Sequence, residues 1–227
     1  MNNCVFWDFD GTLVFSDHLW SSGVFAVLKE YWGDGEVSFT TVRNHMRTGF
    51  TWHTPHEDYS RMTGDLWWEF MFRRFAFIYE CFGVPKGRAA EMARAVRGEI
   101  LELSKYHLYD DTISTLKKAS AKGYRNFILS NNYPELPEIA DGLGLTPLVD
   151  GIVVSSVVGY DKPRKELFAH ALALAGEPET PFMVGDNPVA DVAGGKNAGM
   201  TTVLVHKNTP CGSDYQFETL AEILDVL

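Results

Sequence analysis

The chain has 227 residues, of which 45% are hydrophobic and 22% are charged, and these proportions exclude a disordered or collagenous polymer. Thirty acidic against twenty basic side chains give a formal net charge of −10, which disfavours nucleic-acid polymers and anionic membrane surfaces as partners. Three widely spaced cysteines form no zinc motif, no apolar run reaches the ~18 residues of a membrane span, and no basic leader precedes the first apolar run. We therefore expect a soluble, cytoplasmic protein.

Five short apolar runs along the chain have the composition of buried strands, and the first, residues 4–9, ends in a turn at Asp10-Gly11-Thr12. The other four predicted strands are residues 126–130, 151–155, 182–185 and 202–205, and the predicted helices are residues 110–122, 134–143, 163–175 and 188–198. Pro163 suits the first turn of its helix. Strands alternating with helices predict an α/β fold with a Rossmann-like, mainly parallel sheet, in which ligands bind beyond the carboxyl ends of the strands.

Residues 16–105 break this alternation because they contain several helical patterns and no convincing strand. One predicted helix spans residues 65–81, with Thr63 and Asp65 available to cap its start. A second spans residues 88–107, with Gly98 as a weak point. These patterns predict an inserted helical module.

Two carboxylates, Asp8 and Asp10, stand two residues apart where the first predicted strand becomes a turn. In that position they can converge on one cation or one reacting atom, since a carboxylate is a competent nucleophile and a second one can act as acid and then base. Gly11 permits an unusual backbone angle, so N–H groups can approach an anion. Two solvated acids in a surface turn would give the same string of residues.

A second acidic pair, Asp186 and Asp191, follows the predicted strand 182–185. One of these acids could simply cap the next helix. A pair of acidic strand ends in one parallel sheet also makes an oxygen cluster suited to Mg²⁺, which prefers carboxylates, waters and a substrate phosphate. The sequence therefore indicates a candidate magnesium site.

Two further segments end in groups that can bind phosphate. Ser130 and Asn131 end the second predicted strand with a hydroxyl and an amide, although such turns are also common without any ligand. Lys162 precedes Pro163 at a predicted helix start, a good place to hold negative charge, and a lone lysine there is otherwise ordinary solvated surface.

Taken together and in this order, the four segments resemble the haloacid dehalogenase (HAD) superfamily: DxDGT after the first strand, a serine strand end, Lys-Pro at a helix start, and GDxxxxD after a later strand. The resemblance implies a catalytic core formed by residues 1–15 and 106–227, interrupted by a type-one helical cap at residues 16–105. Residues 64–68 and the Phe-rich helix after them are similar to the caps of some phosphatase-like members.

The resemblance also implies catalytic and metal-binding roles. Asp8 would attack phosphorus, and Asp10 would protonate the departing oxygen and later activate water. Mg²⁺ would be held by Asp8, the backbone carbonyl of Asp10 and Asp186, with Asp191 beside the ion or behind its ligands.

Ser130 and Lys162 would bind the phosphoryl group, while Thr12 and the Asn131 backbone would shape its cradle. Positioning and charge stabilisation of this kind supply most of the catalysis in phosphoryl transfer. The motif continues Ser-Asn-Asn where Ser/Thr-Asn-Gly is frequent in relatives, so Asn132 is a departure from the family pattern.

We therefore expect Mg²⁺-dependent hydrolysis of the phosphomonoester of a small metabolite through an aspartyl-phosphate intermediate. Asp10 argues against a dehalogenase, because a carbon–halogen bond expels halide without protonation whereas an alkoxide leaving group needs an acid. Lys29, Lys86 and Lys105 lack a setting for Schiff-base phosphonate hydrolysis. A sugar-phosphate mutase of the same superfamily and a catalytically silent phosphate-binding module remain alternatives.

Several residues of the predicted cap have competing interpretations. Residues 52–58 contain two histidines whose order fits no helical zinc motif, so a polar loop facing the site is the better functional reading. Trp67 and Trp68 favour packing over stacking on a ligand, although a nucleobase would suit them. Four arginines are better interpreted as parts of solvated helix faces than as contacts for a remote anion of the substrate: Arg43, Arg47, Arg73 and Arg74.

Overall fold

A computed structural model describes residues 3–33 and 36–227. The first two residues of the predicted core segment 1–15, and residues 34–35 of the predicted cap, lie outside these described residues. Within the described ranges, no helix is both long enough and apolar enough to cross a membrane.

A six-stranded sheet with strand order β5-β4-β1-β6-β7-β8 forms the core, and all its neighbouring strands are parallel. This confirms the predicted α/β fold. The strands of this sheet are β1 (Asn3–Trp7), β4 (Tyr124–Ser130), β5 (Gly151–Val154), β6 (Thr180–Gly185), β7 (Thr201–Val205) and β8 (Tyr215–Phe217).

The central strand β1 lies between β4 and β6, with Trp7 level with Ile128 on one side and Val184 on the other. The chain leaves the sheet at Asp8, whose N–H donates to the carbonyl oxygen of Val184 at 2.8 Å. Because the strands are parallel, the ends of β1, β4 and β6 meet at one edge, where a ligand site is expected.

Helices cover both faces of the sheet, as a parallel sheet requires. Alternate residues of β1 point to opposite faces: Val5 and Trp7 join one hydrophobic cluster, while Cys4 and Phe6 join the other. The helices of the core are α5 (Thr112–Ala121), α6 (Leu136–Gly142), α7 (Ser155–Val158), α8 (Lys165–Leu174) and α9 (Gly194–Asn197), the last preceded by a π-helical turn at Pro188–Ala193.

The segment between β2 (Val14–Phe15) and β3 (His107–Leu108) is helical. It contacts the core through the Trp68 indole N–H, which donates to Glu135 at 2.9 Å, and through the Gly64 N–H, which donates to the Ser156 carbonyl at 3.0 Å. Its helices are α1 (Leu19–Trp32), α2 (Phe39–His45), α3 (Asp65–Cys81) and α4 (Lys86–Ile100), with shorter 3₁₀ turns at Thr51–His53 and Leu103–Lys105.

The predicted helix over residues 88–107 is too long at its carboxyl end. Helix α4 continues through Gly98 and ends at Ile100, and His107 belongs instead to β3, which pairs antiparallel with β2. This pairing places His107 in a strand, and no local pattern encodes pairing with a strand about ninety residues earlier.

Two predicted helix starts also differ from the structure. Gly64, with a φ of 57°, occupies the N-cap position of α3, and no side chain caps it, so neither Thr63 nor Asp65 has the predicted role. Helix α8 begins at Lys165, which leaves Pro163 outside its first turn.

Candidate active site

A cavity of about 440 Å³ opens at the edge where β1, β4 and β6 end. Its volume lies within the range of ~300–1,000 Å³ usual for small-molecule sites. The core lines it with polar side chains contributed by four separate segments: Asp8, Asp10, Ser130, Asn131, Lys162, Asp186 and Asn187.

Lys162 is the buried cation of the site, with 2% of its surface exposed. Its Nζ lies 2.8 Å from Asp8 Oδ1 and 2.6 Å from Asp191 Oδ1, and it also donates to the carbonyl oxygen of Leu129 at 2.9 Å. Lys162 therefore joins two acidic motifs that lie far apart along the chain.

The charges of this group shift the pKa of Lys162. Burial disfavours the ammonium, but the carboxylates of Asp191 and Asp8 outweigh burial and raise the pKa of Lys162 to about 12. For the Asp191 carboxyl, burial raises the pKa, and the Lys162 ammonium opposes this rise. Lys162 is thus a fixed positive charge at neutral pH.

Asp191 is fully buried, and both of its oxygens accept hydrogen bonds. Oδ1 accepts from Lys162, and Oδ2 accepts from the Asn187 N–H at 2.9 Å. Only glycine fits beside it at position 185, since a Cβ there would lie 2.1 Å from Asp191 Oδ2. Asp191 is therefore held as a partner of the lysine, and it is not among the residues that line the cavity.

Asp8, Asp186 and Asp191 form a group that could hold a metal ion, with ligand oxygens all within 4.8 Å of one another. Asp8 and Asp186 both line the cavity, which gives two carboxylates for a hard cation that usually takes one or two and completes its shell with waters and phosphate. The donor set thus fits a divalent cation. The carboxylate of Asp10 is outside this group; its predicted contribution was the backbone carbonyl, and that stays a prediction.

Asp10 is held by the side chain of Asn132, which was not among the predicted site residues. Asn132 Nδ2 donates to Asp10 Oδ2 at 2.7 Å, while Asn132 Oδ1 accepts from the Tyr133 N–H at 3.0 Å. Because the backbone N–H fixes which way the amide faces, Asn132 presents its donor to Asp10. The other oxygen of Asp10, Oδ1, is buried and has no hydrogen-bond partner among the described residues.

The environment of Asp10 favours its protonated form. Burial and the neighbouring charge of Asp8 raise the pKa of Asp10 to about 7, against the opposing effect of the hydrogen bond from Asn132. A carboxyl that exchanges its proton near neutral pH suits a general acid and base.

The remaining predicted site residues lie close by. Ser130 is buried at the end of β4 and lines the cavity. The Asn131 side chain bridges to the Lys162 backbone, donating to its carbonyl at 3.1 Å and accepting from its N–H at 2.6 Å. Thr12 is buried behind the loop, outside the cavity lining, and its hydroxyl has no partner among the residues described.

Two consecutive residues that follow β7, His206 and Lys207, contact residues of the site. Neither of them was predicted from the sequence. Lys207 Nζ lies 2.6 Å from Asp186 Oδ2, and His206 Nε2 lies 3.1 Å from the carbonyl oxygen of Thr12. No motif marks these residues, because only the order of the strands brings the end of β7 beside β6.

Residues of the predicted cap divide between the cavity and its surroundings. Trp67 and Trp68 are buried and lie outside the lining, which agrees with the packing interpretation. Trp52 is the member of the 52–58 segment that lines the cavity, and the two histidines of that segment are not in the lining. The helical segment contributes eight lining residues: Ser16, His18, Leu19, Trp20, Ser21, Met46, Phe50 and Trp52.

Comparison with known families gives a match over most of the chain. A family model described as haloacid dehalogenase-like hydrolase matches residues 3–199.

Comparison with characterised proteins gives partial matches to phosphatases. A phosphoserine phosphatase of Thermus thermophilus is 36% identical over 145 residues, which cover 62% of this chain and 57% of the relative. A glyceraldehyde 3-phosphate phosphatase of Methanothermobacter thermautotrophicus is 37% identical over 100 residues, which cover 43% of this chain and 44% of the relative. The chain thus spans about half the length of the curated relatives it matches.

Comparison with solved structures gives matches to whole chains. The Bacillus subtilis protein YfnB, described as a HAD-hydrolase bound to magnesium, has a TM-score of 0.75 at 19% identity, covering 99% of this chain and 98% of that one. A 2-haloacid dehalogenase of Pseudomonas syringae has a TM-score of 0.71 at 20% identity, covering 100% and 98%. At these identities the likeness shows the fold alone.

Proposed function

The chain belongs to the haloacid dehalogenase-like hydrolases, and we propose that it is a Mg²⁺-dependent phosphomonoesterase that acts on a small phosphorylated metabolite through an aspartyl-phosphate intermediate. The observation on which this depends is Asp10, a carboxyl with a pKa raised to about 7 that lines the same cavity as Asp8. Displacing an alcohol from phosphorus needs such an acid, whereas expelling a halide does not.

In the proposed reaction, a carboxylate oxygen of Asp8 attacks phosphorus as the bond from phosphorus to the ester oxygen breaks. Protonated Asp10 gives its proton to that oxygen, so the alcohol leaves neutral. The Asp10 carboxylate then takes a proton from water as that water attacks the aspartyl phosphate, which releases inorganic phosphate and restores Asp8. The fold neighbours include a dehalogenase, so Asp10 is the residue that selects this chemistry over carbon–halogen cleavage.

The other polar groups of the cavity suit the charge of a phosphoryl group. Lys162 supplies a positive charge whose position is fixed by three contacts, and Ser130 supplies a hydroxyl at the end of β4. Asp8 and Asp186 would hold Mg²⁺, which when bound offsets the repulsion between these carboxylates and an anionic substrate. The magnesium described for YfnB supports this choice of cation.

We also propose that residues 16–105 act as a cap that excludes bulk water during turnover. Eight residues from this segment line the same cavity as the carboxylates, which supports the proposal. The phosphatase names of the two relatives support hydrolysis of a small phosphate ester.

The test is phosphate release from a panel of sugar, nucleotide and short organic-acid phosphates, with and without Mg²⁺. Asp8→Asn should abolish turnover in a variant that still folds and unfolds cooperatively, and exhaustive chelation should abolish turnover of the wild type. The matched control is Asp225→Asn at an exposed acid outside the cavity lining, which should keep wild-type rates.

The intermediate has its own measurement. Borohydride reduction of enzyme quenched during turnover should convert the aspartyl phosphate at position 8 into homoserine, detected by peptide mass. Wild-type rates in Asp8→Asn, or full activity after chelation, would contradict the proposal. Isomerised substrate with little free phosphate would instead indicate a mutase.

A further inference from the structure

The part of the cavity lining that comes from the helical segment is largely aromatic and apolar. Trp20, Phe50 and Trp52, which we call the aromatic wall, line the cavity together with the apolar side chains of Leu19 and Met46. One small molecule in this cavity would therefore meet both the charged groups of the core and the flat apolar rings of the helical segment.

The aromatic wall is fixed in place by its own packing. The rings of Phe50 and Trp52 are stacked with centroids 4.9 Å apart and an interplanar angle of 4°. The ring of Trp20 lies 5.4 Å from that of Trp52 and also contacts the buried rings of Trp68 and Phe75. A surface ordered before binding loses little conformational entropy when a ligand ring packs on it.

Within the described residues, the helical segment brings no lysine or arginine side chain into the lining that could pair with a second anion. Arg43, Arg47 and Arg73 are exposed and lie outside the lining.

Arg74 turns away from the cavity. Its Nη2 donates to the backbone carbonyl of His45 at 2.6 Å, and its guanidinium lies 5.6 Å from the centroid of the Phe50 ring. It packs against the Phe50 ring and is not among the lining residues, so it is not placed to bind a substrate anion in this arrangement.

We propose that the leaving group of the substrate carries an uncharged flat ring that packs against the aromatic wall. This inference rests on the proposed phosphomonoesterase and narrows its substrate class. A second phosphate or a carboxylate at the far end of the substrate would lose its water without gaining a cation, which disfavours bisphosphates and short phospho-acids. Ser16, His18 and Ser21 offer hydrogen-bonding groups near the ring for its heteroatoms or for a sugar.

The decisive comparison uses two ribose 5-phosphate esters that differ at C1, where one carries a flat base and the other a hydroxyl group. Uridine 5′-monophosphate and ribose 5-phosphate share the reacting phosphate and the sugar carbon, so the ratio of their kcat/KM values isolates the base. We expect a preference of at least about tenfold for the nucleotide, the order expected for one stacked ring. Uridine itself should inhibit competitively, and ribose should not.

Variants of the aromatic wall test the location. Trp52→Ala should reduce the preference for the ring severalfold, and Trp52→Phe should retain most of it. The matched control is Trp32→Ala, since Trp32 is 43% exposed and is not a lining residue. Thermal unfolding of each variant identifies loss of fold.

The outcomes separate the two proposals. Hydrolysis of ribose 5-phosphate as fast as the nucleotide, or a preference for fructose 1,6-bisphosphate over both, overturns the ring assignment and leaves the phosphomonoesterase standing. Failure of every ester to release phosphate overturns the proposed activity. A nucleotide preference that Trp52→Ala does not change overturns the assignment to the aromatic wall.

Discussion

Lys162→Met removes the buried charge that joins the two acidic motifs while keeping an unbranched side chain of similar length. In the wild type, the ammonium lies 2.8 Å from Asp8 and 2.6 Å from Asp191, and these side chains are 12% and 0% exposed. At an effective dielectric constant of about 20, each contact corresponds to about 6 kcal/mol of Coulomb energy. Much of this is offset by the cost of removing the ammonium from water, so removing one partner usually costs about 3–5 kcal/mol in net stability.

The loss should depend on pH, and the direction follows from the carboxylates left behind. Without the ammonium, the pKa of Asp191 rises further above its unfolded value of about 3.9, so the folded variant binds protons that the unfolded chain does not. The variant therefore regains stability as pH falls. We expect a deficit of about 3 kcal/mol at pH 8 and a clearly smaller one at pH 5.

Urea denaturation in the presence of a chelator measures this effect without any bound divalent cation. Adding Asp191→Asn to Lys162→Met should restore part of the loss, with a coupling energy of at least about 1 kcal/mol, while activity stays absent. The control is Lys196→Met, which makes the same chemical change at an exposed ion pair with Asp214 and should cost less than about 1 kcal/mol. A deficit below about 1 kcal/mol at pH 8, or one that grows as pH falls, would refute the reasoning.

Two further predictions concern side chains around the site. Asn132→Gly removes the donor that holds Asp10, so we expect kcat for an alkyl phosphate to fall about tenfold or more and kcat for an aryl phosphate with a good leaving group to fall less; equal losses in the two assays would argue against a role through the acid. Burial raises the pKa of Asp161, so the ionised carboxylate costs stability as pH rises above its unfolded pKa of about 3.9. Asp161→Asn should therefore stabilise the protein more at pH 7.5 than at pH 4, and urea denaturation showing the same difference at both pH values would contradict this.

The sequence alone predicted the α/β class and the strand ends that bear functional groups, for a local reason. A buried parallel strand is a short apolar run, and Asp8 and Asp186 directly follow two such runs, at Trp7 and Gly185. Parallel pairing then requires those ends to share one edge of the sheet. This is why four separate motifs predicted one site.

The sequence alone was a poor guide to helix ends. Helix α4 ends at Ile100, before His107, which pairs in β3 with β2, and the start of α3 has a glycine where a side-chain cap was expected. Both departures lie near contacts that join the helical segment to the core, the pairing of β3 with β2 and the bond from Gly64 to Ser156, and such contacts between distant residues are not encoded in a helical pattern.

The partners of the catalytic groups came from the tertiary structure. The Asn132 amide reaches Asp10, which is 122 residues away in the chain, and Lys207 reaches Asp186 from the end of a different strand. Such contacts depend on strand order and side-chain orientation, which composition and spacing do not encode.

The net charge of −10 and the acidic motifs were visible in the sequence, because charge and residue order need no fold. The sequence thus determined the family to which the chain belongs. Only the tertiary structure decided that Lys162 is buried between Asp8 and Asp191, and that Trp20, Phe50 and Trp52 converge on the same cavity. The physical reason is that a side chain acquires its electrostatic environment and its neighbours only when segments distant in sequence pack together.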